Sequence, residues 1–73
     1  METTPLNTSL PGVRLLQLWI RKKIPVSLSL INTERLDGEI LWQDSEFIAL
    51  QPSAQKGPVL VNRQQISTIR PLR

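Results

Sequence analysis

The sequence predicts a mainly β protein, with one N-terminal helix followed by five short strands wound into a small, strongly bent barrel. Three observations carry this. Apolar and polar residues alternate in several short runs, as in strands buried on one face. Breaks rich in Asn, Asp, Ser and Pro separate these runs at the close spacing of a small barrel. Gly38 stands in mid-strand, where a missing side chain marks a sharp bend or a close backbone approach.

Residues 1–10 are rich in Thr, Pro and Asn and read as a disordered N-terminus. Thr8 or Ser9 is a candidate helix cap, with Pro11 tolerated in the first turn. The helix is expected over 12–21, with Arg14, Gln17 and Arg21 on one face and Leu15, Leu16, Leu18, Trp19 and Ile20 over the rest. So much apolar surface must lie against something, most simply the open end of a sheet. Pro25 is expected to stop the helix.

A half-buried strand is expected over 25–31, where Val26, Leu28 and Leu30 alternate with Ser27 and Ser29. Asn32, Thr33 and Glu34 form a turn. The next strand, 35–43, places Leu36, Gly38, Ile40 and Trp42 on one face and Arg35, Asp37, Glu39 and Leu41 on the other. Gln43, Asp44 and Ser45 form the next turn, and a third strand covers 46–51. Residues 52–58 are a loop by composition. Two short strands follow, 59–62 and 66–70, around the polar break Arg63-Gln64-Gln65, and Pro71 is expected to end the pairing. These last two strands are poor partners for each other in a simple hairpin. They read as exposed edges, and edges seek partners.

A core of 73 residues is marginal alone, and oligomerisation is a usual remedy. The chain has no cysteine and no histidine. That removes disulfides, thiolate metal sites, the commonest general base and every Ser-His or Cys-His nucleophile arrangement. No phosphate-cradling glycine loop or metal-ligand cluster is evident, so no cofactor is expected and an enzyme is disfavoured. Nine Lys and Arg against six Asp and Glu give a net charge of +3. One copy is mildly basic, but a ring of about six would present roughly six times that charge to a polyanion. No export signal is seen, and the apolar run 15–20 is too short for membrane insertion. The expected location is cytoplasmic.

Several stretches together resemble the bacterial Hfq family of Sm-like proteins. They are Ile24-Pro25-Val26-Ser27 after a basic helix end, Leu30-Ile31-Asn32, Leu36-Asp37-Gly38-Glu39-Ile40, Asp44, Val61 and Ile66-Ser67-Thr68. The resemblance covers about residues 15–71, and its divergence is similar to that of the cyanobacterial branch. It implies a single Sm-like domain over 11–73, with a five-stranded antiparallel barrel assembled as a homohexameric ring. The fourth strand of one protomer (Val59, Leu60, Val61, Asn62) would pair with the fifth of the next (Ile66, Ser67, Thr68, Ile69). Closure would leave no free edge.

The resemblance also implies three RNA-binding surfaces. The proximal, pore-lining face takes uridine-rich RNA. Its basic pair falls on Arg63 and Gln64, its third-strand Gln-Phe falls on Ser45 and Glu46 with Phe47 next door, and its N-terminal glutamine falls near Gly12. Arg63 keeps a charge that grips phosphate bidentately. Gln64 keeps hydrogen-bonding capacity but cannot ionise. The distal face takes adenine-rich RNA. Its stacking tyrosine falls on Ser29, its apolar post-turn residue on Glu34 and its adenine-reading glutamine on Asp37, whereas Leu30, Arg35 and Leu36 fit the pattern. Serine cannot stack, and the added carboxylates repel phosphate. Uridine-rich RNA is therefore expected over adenine-rich RNA, with weakened or altered sites. The basic rim falls on Ile20, Arg21, Lys22 and Lys23.

Trp19 and Trp42 are expected in the core rather than under bases, and Asp44 is expected to brace its turn. The functional expectation is an RNA chaperone or post-transcriptional regulator acting through small RNAs and mRNAs. The alternative is a hexameric ring whose main partner is a protein, which the loss of Tyr, His and Phe from the RNA positions would suit.

Overall fold

The computed structural model describes residues 9–72. One helix, α1 (Pro11–Arg21), precedes five strands: β1 (Pro25–Leu30), β2 (Arg35–Gln43), β3 (Phe47–Pro52), β4 (Val59–Asn62) and β5 (Ile66–Pro71). A single 3-10 turn, η1 (Arg63–Gln65), joins the last two. The strands form one antiparallel sheet in the order β4-β3-β2-β1-β5. The two strands read as edges are therefore its two ends. Chain neighbours β4 and β5 do not pair with each other, because η1 carries the chain from one end of the bent sheet to the other.

The core is the concave side of this sheet closed by α1. Leu16, Val26, Leu28, Ile40, Ile48, Leu50 and Val61 are buried together, with Trp19, Ile20, Leu30, Leu36, Val59, Ile66 and Ile69 packed against them. The bend has a local cause at Gly38, which pairs with Val26 on one side and Pro52 on the other. A Cβ there would collide with the carbonyl oxygen of Gln51 and lie 2.9 Å from the Cα of Pro52. Only glycine lets β2 and β3 approach this closely.

Several boundaries differ from the sequence reading. The helix N-cap is Leu10, which makes no side-chain capping bond; Pro11 opens the helix, where its missing N–H costs nothing. Thr8 lies outside the described residues, as does most of the 1–10 stretch read as disordered. The helix stops before Pro25 is reached. Lys23 adopts φ 54°, and the N–H groups of Lys23 and Ile24 return to the carbonyls of Ile20 and Trp19. That is a Schellman stop with lysine where glycine is usual. Strand β1 ends at Leu30, β3 begins at Phe47 and runs through Pro52, and Pro71 does not end the pairing. Pro71 pairs with Val26, and the Leu72 N–H still donates to the Pro25 carbonyl at 2.8 Å.

Trp42, expected in the core, lies outside it. Ile40 pairs with Leu50 but Trp42 with Ala49, so Leu41 is an extra residue in a β-bulge. The bulge reverses the face of everything after it. Trp42 turns outward and is 46% exposed, while Gln43 takes the inward position. Trp19 packs against the core as expected.

Candidate nucleic-acid interface

The proximal residues come together at the junction of η1 with the β2–β3 turn. Asp44 builds that turn. Its Oδ1 accepts from the N–H of Glu46 at 2.9 Å and of Phe47 at 2.7 Å, while its own N–H donates to the Phe47 carbonyl. These two N–H bonds, aided by the positive charge of Arg63, hold the Asp44 carboxyl below the usual carboxylate range. Asn62 does the same for η1, its Oδ1 accepting from the Gln64 N–H at 2.9 Å. Both are short polar side chains capping a chain reversal.

The two reversals are stitched together. The Arg63 N–H donates to the Glu46 carbonyl at 2.8 Å, and Phe47 pairs with Asn62. Arg63, Gln64, Ser45, Glu46 and Phe47 thus form one cluster. Arg63, Ser45 and Phe47 are half-buried; Gln64 and Glu46 are exposed. Gly12, at the position of the family's N-terminal glutamine, offers no side chain. It joins Arg63 in lining a shallow apolar groove of about 460 Å³ with Val13, Leu16, Trp19 and Ile69.

Sequence reasoning missed two members of this site. Arg63 Nη1 donates to Gln43 Oε1 at 2.8 Å. Gln43 Nε2 in turn donates to Gln17 Oε1 at 2.8 Å and to the Val13 carbonyl at 3.3 Å. A polar chain therefore runs from η1 through the end of β2 to α1. Its only sequence signal was the Leu41-Trp42 pair, whose bulge puts Gln43 inside, and alternation alone cannot find a bulge.

The distal residues lie together on β1 and β2, where Ser29 faces Arg35, Leu28 faces Leu36 and Ser27 faces Asp37. Their charges are spent on each other. Arg35 Nε and Nη2 donate to the two carboxylate oxygens of Asp37 at 3.1 and 3.0 Å. That fork, with a further hydrogen bond from Ser27, holds the Asp37 carboxyl low and raises the Arg35 pKa. A guanidinium already gripped by a carboxylate has less to offer a phosphate. The rim cations Arg21, Lys22 and Lys23 all lie exposed at the C-terminal end of α1. The residues expected to pair between copies lie at the two ends of the sheet: Val59, Leu60, Val61 and Asn62 on β4, and Ile66, Ser67, Thr68 and Ile69 on β5. Among the described residues no group of His, Cys, Asp and Glu is placed to hold a metal ion, and no helix is long and apolar enough to cross a membrane.

An N-terminal helix on a bent five-stranded antiparallel sheet, with β4 and β5 left at its ends, is the Sm-like fold. The Hfq-related family model matches residues 10–71, and the chain belongs to that family. A crystal structure of an Hfq protein from Anabaena sp. superposes with a TM-score of 0.75 at 27% identity, covering 85% of this chain and 97% of that one. A crystal structure of an Hfq described as a pleiotropic translational regulator superposes at 0.71 and 19% identity, covering 81% and 95%, and supports the fold alone. No curated protein sequence matches the chain significantly. The low identities mark a divergent member, similar to the Anabaena protein among others. Hfq-family proteins are RNA-binding proteins without enzymatic activity, and the chain shares that general role.

Proposed function

We propose that the chain forms a homohexameric ring that binds RNA at its pore and acts as an RNA chaperone or post-transcriptional regulator in the cytoplasm, through small RNAs and mRNAs. The observation that carries this reading is the position of β4 and β5 at opposite ends of one sheet with Arg63 and Gln64 between them. Pairing of β4 with β5 of the next copy satisfies both edges in a closed ring. The same pairing repeats Arg63 and Gln64 at every contact. Uridine-rich RNA is favoured over adenine-rich RNA, because the Arg63 guanidinium is held by the neutral amide of Gln43 whereas that of Arg35 is forked onto the Asp37 carboxylate.

The test is titration of labelled uridine-rich and adenine-rich RNA at two salt concentrations, with wild type and Arg63→Ala. Each lost phosphate contact lowers the salt slope by about 0.7. Absence of binding at low salt, or binding indifferent to Arg63→Ala, would refute the pore site.

One observation favours a protein partner as a second reading. Trp42, Ala49 and Leu60 lie in one register row across β2, β3 and β4, and Trp42 and Leu60 are 46% and 55% exposed beside exposed Leu41. Two large exposed apolar side chains flanking the buried Ala49 suit a protein surface more than a phosphate backbone. A pull-down with and without nuclease separates the two. Partners that survive nuclease support the second reading; partners that vanish count against it.

A further inference from the structure

A phosphate-gripping arginine must lose rotamer freedom on binding, and a protein that fixes the side chain beforehand binds more tightly. Arg63 is fixed in this way. Its backbone is tied to Glu46, the chain is reversed by the Asn62 cap, and its guanidinium is held through Nη1 by Gln43. Gln43 is itself anchored to α1 by its amide nitrogen, on Gln17 and on the Val13 carbonyl. Only an amide side chain presents an acceptor to an arginine and two donors to other groups at once, which a hydroxyl or a neutral imidazole, with one donor each, does not. A carboxylate at this position would hold the guanidinium more strongly but would neutralise it. An aliphatic residue would leave it free to swing. A glutamine orients Arg63 and adds no second carboxylate to that of Asp44, which already feels its charge.

We propose that Gln43 is a positioning residue of the RNA site. It points Nη1 of Arg63 into the barrel, leaves Nε and Nη2 for a phosphate of single-stranded RNA, and sets the guanidinium against α1. Gln17 shares a groove of α1 with Arg14 and Arg21, so the chain Arg63–Gln43–Gln17 ties η1 to that basic helix face. The inference rests on the proposed RNA reading and adds to it a residue that never touches RNA.

The test uses the full chain and labelled oligouridine, over a range of salt. Gln43→Ala is expected to weaken binding about 3- to 10-fold with the salt slope unchanged, because the charge remains and only its orientation is lost. Arg63→Ala removes the cation from every protomer, and is expected to weaken binding and lower the slope by about 0.7 for each Arg63 that touched a phosphate. Gln43→Glu keeps an acceptor but neutralises Arg63, and is expected to lower the slope as Arg63→Ala does. In the Arg63→Ala background, Gln43→Ala is expected to have no further effect, which a double-mutant cycle reads directly. Where Gln43→Ala fails to fold, Gln17→Ala replaces it. That variant removes an exposed anchor and is expected to cost about 2-fold, again only when Arg63 is present.

An equal loss in both backgrounds would show a merely structural role and overturn the inference with the RNA reading intact. So would an unchanged affinity for Gln43→Ala where Arg63→Ala weakens binding. Indifference of binding to Arg63→Ala would overturn both.

Discussion

The carbonyl oxygen of Gln51 fills the space in which a side chain at Gly38 would begin. This contact lets β2 bend across β3, and the bend brings the far ends of the sheet round to η1. Gly38→Ala must push backbone against backbone, with no flexible side chain to yield. It is expected to destabilise the fold by about 2–3 kcal/mol, as overpacking does. Denaturant melts of wild type and variant, at equal protein concentration, measure this.

Two residues occupy left-handed backbone without being glycine: Lys23 at φ 54° and Thr33 at φ 74°. Lys23 ends α1. Thr33 lies in the four-residue β1–β2 loop, residues 31–34, in which its N–H donates to the Leu30 carbonyl and Asn32 Oδ1 accepts from the Glu34 N–H at 3.1 Å. Lys23→Gly and Thr33→Gly are each expected to stabilise the protein, by about 0.5–1 kcal/mol. Thr33 gains more, because a β-branched side chain is the worse fit. Lys22→Gly, at φ −89°, is expected to give no such gain.

The pH dependence of stability has a defined direction. Asp44 and Asp37 both titrate below the usual carboxylate range in the folded protein. The unfolded chain therefore binds more protons than the native one at mildly acid pH. Their contribution is complete above the ordinary carboxylate pKa of about 4 and is lost as pH falls through the lower folded values. Asp44→Ala is expected to lower stability at neutral pH and to flatten the acid limb of a stability–pH profile. The cause would be loss of the two N–H bonds from Glu46 and Phe47.

The Arg35–Asp37 fork makes a prediction opposite to the usual one for a charge deletion. Asp37→Asn is expected to release Arg35 and remove a carboxylate from the face read as distal. Affinity for adenine-rich RNA should rise, with a salt slope steeper by about 0.7 for each Arg35 that gains a phosphate. Binding of uridine-rich RNA, proposed to use Arg63, should be little affected. Parallel titrations of the two homopolymers check this.

Much of the fold was legible because its signals are local. Alternation at Val26, Leu28 and Leu30 placed β1; Gly38 marked the bend; and the polar break at residues 63–65 separated two strands that could not pair with each other. Asp44 was legible as a turn residue because its partners are two and three positions away. The misses have physical causes too. Lys23 carries no residue-type signal for left-handed backbone. Trp42 was assigned to the core because period-two reasoning holds only until a bulge, and Leu41 is one. Gln43 escaped because its partners, Gln17 and Arg63, are 26 and 20 residues away and meet it only after folding.

The central claim is that β4 and β5 are two halves of one contact repeated round a ring. Light scattering of the full chain at micromolar concentration tests it most directly. Six copies of an 8.3 kDa chain are expected, a particle of about 50 kDa. A monomer at that concentration would leave both edges unpaired and Arg63 without its repeats, and would contradict the account.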